Sequence, residues 1–293
     1  MTAASRRALA VLRDLHRSGR LVREIRRVPA LLAVLEGEEL LRAGSLLAWP
    51  APGPAADRAG PPPGPPADGP PGARPVRVAL AGDVPPAAAL PPLAVELARD
   101  GRLLRAAVSP PGTWAYDLAD PASGVYASRP DLTLCLVDPG ALDRELAVPS
   151  GPEGFRRAAA DHHRLLSSLL EVHQRVGTGL LLTTTLPRPD PAAPADPSAP
   201  PVPSAPAAPS GGGADGALLG GLWREANARV LRLTSRFPRL AVVDLERHGA
   251  ARPRHPGAGP FDERLLLLCA RRAARLVGRR DRPRRGDDDR EHH

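Results

Sequence analysis

The sequence predicts an α/β protein: a three-layer, doubly wound parallel sheet of the flavodoxin-like kind, with a set of helices ahead of it. Three observations carry this. From residue 76 onward, five apolar runs of strand length recur. Amphipathic stretches of helical length separate most of them, and that alternation implies right-handed crossovers and a sheet covered on both faces. Two proline-rich tracts stand outside the rhythm: Pro50 to Pro75 holds 11 prolines in 26 residues, and Pro187 to Gly213 another 10 in 27. Proline lacks the backbone donor, and the accompanying Ala, Gly and Ser offer little apolar area, so neither tract is expected to order.

The first 48 residues read as helices, with Leu9, Leu12 and Leu15, then Leu21, Val22 and Ile25, then Leu31, Leu32 and Leu35 at three- and four-residue spacing. Pro29 and Gly37 are expected to divide them. Glu38 and Glu39 start a further helix through Leu47, their charges well placed at an N-terminus. The strands follow at Val76 to Ala81, Leu103 to Ser109, Leu132 to Val137, Gly179 to Thr185 and Leu240 to Asp244. Helices are expected at Ala87 to Asp100, Glu153 to Arg175, Ala217 to Ser235 and Asp262 to Val277. The expected organisation is a helical segment at 1–48, a linker at 50–75, an α/β domain at 76–278 with an unordered insert at 187–216, and a charged tail at 279–293.

The net charge of +8 would suggest an anionic partner, but all 40 basic residues are arginine. A chain rich in Ala, Arg, Pro and Gly with no lysine reflects biased coding as much as function. Aromatic residues make up 3% and avoid both arginine-rich ends. Nucleic-acid binding is therefore not expected. Cys135 and Cys269 lie in separate apolar runs, unlike a disulfide framework. With no signal-peptide pattern and no apolar run near membrane-spanning length, the expectation is a cytoplasmic protein that does not engage a membrane.

In doubly wound sheets ligands bind beyond the carboxyl ends of the strands. Here those ends carry Gly82-Asp83-Val84, Ser109, Asp138, Thr183 to Thr185 and Asp244. The first turn resembles that of SGNH (GDSL-like) hydrolases, which place a nucleophilic serine after Gly-Asp. Val84 stands at that position, and the late Asp262 is followed three residues on by Leu265 where such a triad needs histidine. His255 sits in a Pro/Gly loop, His162, His163 and His173 sit on one helix without a converging carboxylate or thiolate, and Cys135 reads as core. No metal or cofactor is expected.

Several ordered segments are similar to the N-terminal, SGNH-like domain of FkbH-like proteins: Val28-Pro29-Ala30-Leu31-Leu32, Leu41 to Leu47, Asp120 to Tyr126, Pro130-Asp131-Leu132, Trp223 to Arg229, Val242 to Leu245 and Asp262 to Leu265. The resemblance implies a role in polyketide pathways, where full-length members load a glyceryl unit on an acyl carrier protein with a HAD-type phosphatase-like domain. No such domain is expected in this sequence. Asp287 to Asp289 form a charged run without the strand a HAD nucleophile occupies. With the resemblance, the candidate catalytic residues are Asp83, Asn227 and Asp262, and the candidate ligand-binding residues are Gly82, Ser109, Thr184 and Tyr126. Two functions are compatible. One is a degenerate module whose partner is a carrier protein or HAD-type enzyme, the arginine-rich N-terminal helices suiting an acidic carrier helix. The other is an active esterase or acyltransferase with an atypical site.

Overall fold

A computed structural model of the chain describes residues 2–50, 75–137, 151–186, 214–248 and 261–280. The strands are β1 (Trp49–Pro50), β2 (Val76–Gly82), β3 (Leu104–Val108), β4 (Leu132–Leu136), β5 (Leu180–Thr184) and β6 (Leu240–Val243). They form one sheet in the order β1-β3-β2-β4-β5-β6. The five longer strands run parallel with helices flanking them, a three-layer α/β fold as the sequence predicts. Leaving aside the two-residue β1, the order is second, first, third, fourth, fifth, which is flavodoxin-like. β4 is buried along its whole length, so its run Leu132-Thr133-Leu134-Cys135-Leu136, apolar but for Thr133, reflects cover on both faces. Leu132 pairs with Leu180, and Leu181 to Thr184 pair with Leu240 to Val243.

The chain divides into two compact units, one of Met1–Val78, Ala87–Ala107 and Leu267–His293, the other of Ala79–Pro86 and Val108–Leu266. In the first, α1 (Ala3–Arg17) buries Ala8, Leu9, Leu12 and Leu15, and Thr2 caps it by accepting the Ser5 N–H at 3.1 Å. Its C-terminus closes through Gly19 at φ +66°, with Arg20 N–H donating to Leu15 O at 3.0 Å and Gly19 N–H to His16 O at 3.1 Å. That closure corrects one expectation. Leu21 to Ile25 do not extend a helix but pass through turns into a 3₁₀ segment, Ile25–Arg27. Pro29 likewise does not divide helices; it lies in the first turn of α2 (Val28–Leu32), where its missing N–H breaks no helical bond.

Gly37, at φ +49°, precedes α3 (Glu38–Leu47). Gly44 of α3 lets the chain press against α4 (Pro86–Arg99): a Cβ there would stand 2.2 Å from Pro91 O. Pro91 and Pro92 lie inside α4 and deprive the Ala87 and Ala88 carbonyls of their partners. Both alanines are exposed, so water can reach those oxygens.

The second unit contains α5 (Trp114–Ala119), α6 (Gly124–Ala127), α7 (Gly151–Val176) and α8 (Ala214–Arg236). Its core joins Ala79, Ala81, Cys135 and Leu181 of the strands to Leu166, Leu169, Leu170, Val230 and Leu233 of the helices. The short α5 and α6 are not foreseen from periodicity, since helices of six and four residues carry too few turns to show one. α9 (Glu263–Arg280) is the last of the described elements. Among the described residues no helix is long and apolar enough to cross a membrane.

Candidate functional site

β2 ends in a turn that only glycine fits. Gly82 has φ +134°, and a Cβ there would lie 2.1 Å from Leu136 O, where β4 passes. The Asp83 N–H donates to the same carbonyl at 2.9 Å. Beyond β3, Ser109 N–H donates to Leu80 O at 2.9 Å, and Gly112 N–H to Gly82 O at 3.0 Å. The loop Pro110-Pro111-Gly112 is thereby folded onto the turn. At Gly112, with φ +81°, a Cβ would stand 4.0 Å from Asp83 Oδ1.

Asp83 and Ser109 are half-buried in this corner, and Gly112 is exposed. Val84 is 9% exposed and presents no reactive atom. The Thr113 hydroxyl lies 2.8 Å from Pro110 O and 2.5 Å from Asp117 Oδ2, which fixes the entry into α5. Cys135 is fully buried; burial foremost, then the Asp83 charge, pushes its thiol far up, so it is no acyl acceptor in the folded state.

The other sequence candidates occupy structural posts. The buried Asn227 accepts the Leu186 N–H at 2.8 Å and returns an N–H to Leu186 O at 3.1 Å. Trp223 Nε1 donates to the same oxygen at 2.9 Å, and Phe155 stacks on Trp223 with centroids 5.1 Å apart. Together they hold the chain as it leaves β5. Asp262 is the N-cap of α9, accepting the Leu265 N–H at 2.9 Å. Tyr126 is buried and donates to Leu118 O at 2.9 Å; burial raises its hydroxyl to about 12. Thr184 is 7% exposed at the end of β5, and the neighbouring Thr185 hydroxyl accepts the Leu245 N–H at 2.8 Å. Asp244 accepts the Glu246 N–H at 3.2 Å and pairs with Arg247 at 3.0 Å.

Two histidines of α7 are core residues. His162 lies 6.4 Å from the Trp114 ring, and burial, with a smaller contribution from His163, lowers it to about 4. His173 lies 5.9 Å from the Tyr126 ring, and burial again sets the downward direction. Both rings pack on aromatic neighbours, and His173 Nε2 lies 3.4 Å from Gly179 O. No group of described His, Cys, Asp and Glu residues is arranged to hold a metal. Asp138, His255 and Asp287 to Asp289 lie outside the described residues.

The structure thus brings Gly82, Asp83 and Ser109 together with Gly112, which sequence reasoning passed over. Its signal was the Pro-Pro-Gly run directly after β3. Asn227, Asp262 and Tyr126 are engaged elsewhere. The corner places one carboxylate beside an open glycine at the carboxyl end of β2.

No protein-family model matches the sequence, and no curated protein matches it. Among solved structures, the fold is similar to the N-terminal part of the protein BF1531 from Bacteroides fragilis, described as containing a phosphatase domain complexed with Mg. The TM-score is 0.52 at 14% identity, over 69% of this chain and 51% of that one. This chain therefore spans about half the length of that structure, and the likeness is one of fold.

Proposed function

We propose that the chain is a catalytically degenerate SGNH-like module of the FkbH-like kind, which binds and positions without hydrolysing. In this reading it assists glyceryl or acyl loading of an acyl carrier protein in polyketide-type biosynthesis, alongside a HAD-type partner enzyme. One observation carries it: where SGNH hydrolases place the nucleophile, this chain has the buried aliphatic Val84. An alkyl group has no lone pair to attack an acyl carbon. The engagement of Asn227 and Asp262 with backbone N–H groups supports the same view, because neither side chain is left to activate a substrate. The ordered motifs noted in the sequence supply the family, and likeness in fold to part of a phosphatase-containing protein is consistent with a phosphatase-type partner.

The test is a titration of the full chain with an acyl carrier protein, unloaded and glyceryl-loaded. A salt-sensitive complex in the micromolar range is expected. No complex with either form at low salt would sink the reading.

A second reading, an esterase or acyltransferase with an atypical nucleophile, is favoured by the position of Asp83 at the turn beside Gly112. Hydrolysis of short-chain acyl esters by wild type that disappears in Asp83→Ala would establish it. Absent turnover, or turnover indifferent to that change, removes Asp83 from any mechanism.

A further inference from the structure

Positive charge gathers at both ends of the sequence, and one of these clusters covers α1. Residues 2–27 contain eight arginines against two carboxylates, Asp14 and Glu24. Asp14 is engaged by Arg20 at 2.7 Å and Glu24 by Arg27 at 2.7 Å. Arg6, Arg7, Arg13 and Arg17 are exposed on α1 and make no ion pair with a described carboxylate. At about 100° per residue, Arg6, Arg13 and Arg17 fall within an arc of roughly 40°, along a line of about 16 Å. This line lies about 120° round the helix from Leu12, the middle of the face that buries Leu9, Leu12 and Leu15. Ala3 and Ala10, both exposed, lie beside it. Small side chains between long cationic ones let a second helix approach closely while its flanks meet guanidinium groups.

We propose that the solvent face of α1 is a docking surface for an acidic helix of a partner protein. Charge complementarity selects the occupant: each guanidinium can take a carboxylate in a two-pronged pair, and acids at i, i+7 and i+11 of a partner helix reproduce the spacing of Arg6, Arg13 and Arg17. The face has no aromatic side chain to stack a base, and no large apolar residue beyond the half-buried Val11 to enter a bilayer. The inference deepens the module reading by giving its partner a surface, but its test does not require the carrier protein.

The probe is a fluorescent helical peptide of about three heptads with glutamates at that spacing, titrated with the full-length chain. Micromolar binding at low salt, weakened at least tenfold near 0.3 M salt, is expected. Arg6→Glu/Arg13→Glu/Arg17→Glu should lose at least tenfold, and the triple glutamine variant should lose part of that. The same charge change in the other compact unit, Arg175→Glu/Arg224→Glu/Arg232→Glu, should cost less than threefold. Circular dichroism of each variant checks that the helices persist.

Failure of wild type to bind overturns the proposal. So does equal binding of a peptide with its glutamates scattered round the helix, or an equal loss in the control variant. Binding of phosphatidylserine vesicles, without peptide binding, overturns it in favour of a lipid surface. If the carrier protein binds and the α1 variant binds it equally well, the surface is wrong and the module reading stands.

Discussion

Gly82 joins two demands, a backbone angle closed to L side chains and a carbonyl that leaves no room for Cβ. Gly82→Ala should cost roughly 3 kcal/mol, adding backbone strain to overpacking, and urea unfolding will measure it. Val84→Ser tests the missing nucleophile directly. Because Asp262 caps a helix and His162 and His173 lie against aromatic rings, a serine there gains no base. Ester hydrolysis by that variant should remain at the buffer rate; any clear gain would mean a base is within reach and end the degenerate reading. Asn227→Ala leaves the Leu186 N–H without its partner while Trp223 still serves the carbonyl. A loss of about 2 kcal/mol is expected from denaturant midpoints.

At the scale of elements, α7 sets the response to acid. His162 is lowered to about 4 and His173 is lowered as well, so both are neutral when folded at pH 7. The unfolded chain takes up those protons near pH 6.5 and the folded chain does so only at lower pH. Stability from this source is therefore complete above about pH 6.5 and is lost as pH falls toward the folded values. Each histidine contributes at most about 1.4 kcal/mol per pH unit to the slope. Urea midpoints at pH 7.5, 5.5 and 4.5 should fall in that order, and His162→Phe should flatten the trend.

The same elements show what a sequence makes legible. All five longer strands and the longer helices α4, α7, α8 and α9 lie within about three residues of their expected bounds, because apolar run length and period are set by cover on the sheet faces. Leu21 to Ile25 misled, since their apolar spacing is also satisfied by turns after a glycine-closed helix. At the site, strand ends gave Gly82, Asp83 and Ser109. Whether Asn227 faces a ligand or a backbone depends on Leu186, 41 residues away in sequence, and periodicity carries no information about such a pairing.

For the whole molecule, α1 to α3 belong to the same compact unit as β3 and most of α4, with Gly44 seated on Pro91. Removing residues 1–48 uncovers that helix surface, and the truncated chain is expected to be insoluble or to lack a cooperative thermal transition. Recovery of a soluble protein with an unchanged melting temperature would contradict this.

The two buried thiols give the molecule a clock for each half. Cys135 belongs to one compact unit and Cys269 to the other, and burial raises Cys269 to about 12 and Cys135 further still. Neither can react with an aqueous disulfide reagent until the chain around it opens, so each labelling rate counts openings of its own unit. Single Cys135→Ser and Cys269→Ser variants, pulsed with reagent at neutral pH, separate the two rates. Equal rates mean that the halves open as one cooperative body; unequal rates identify the half that yields first.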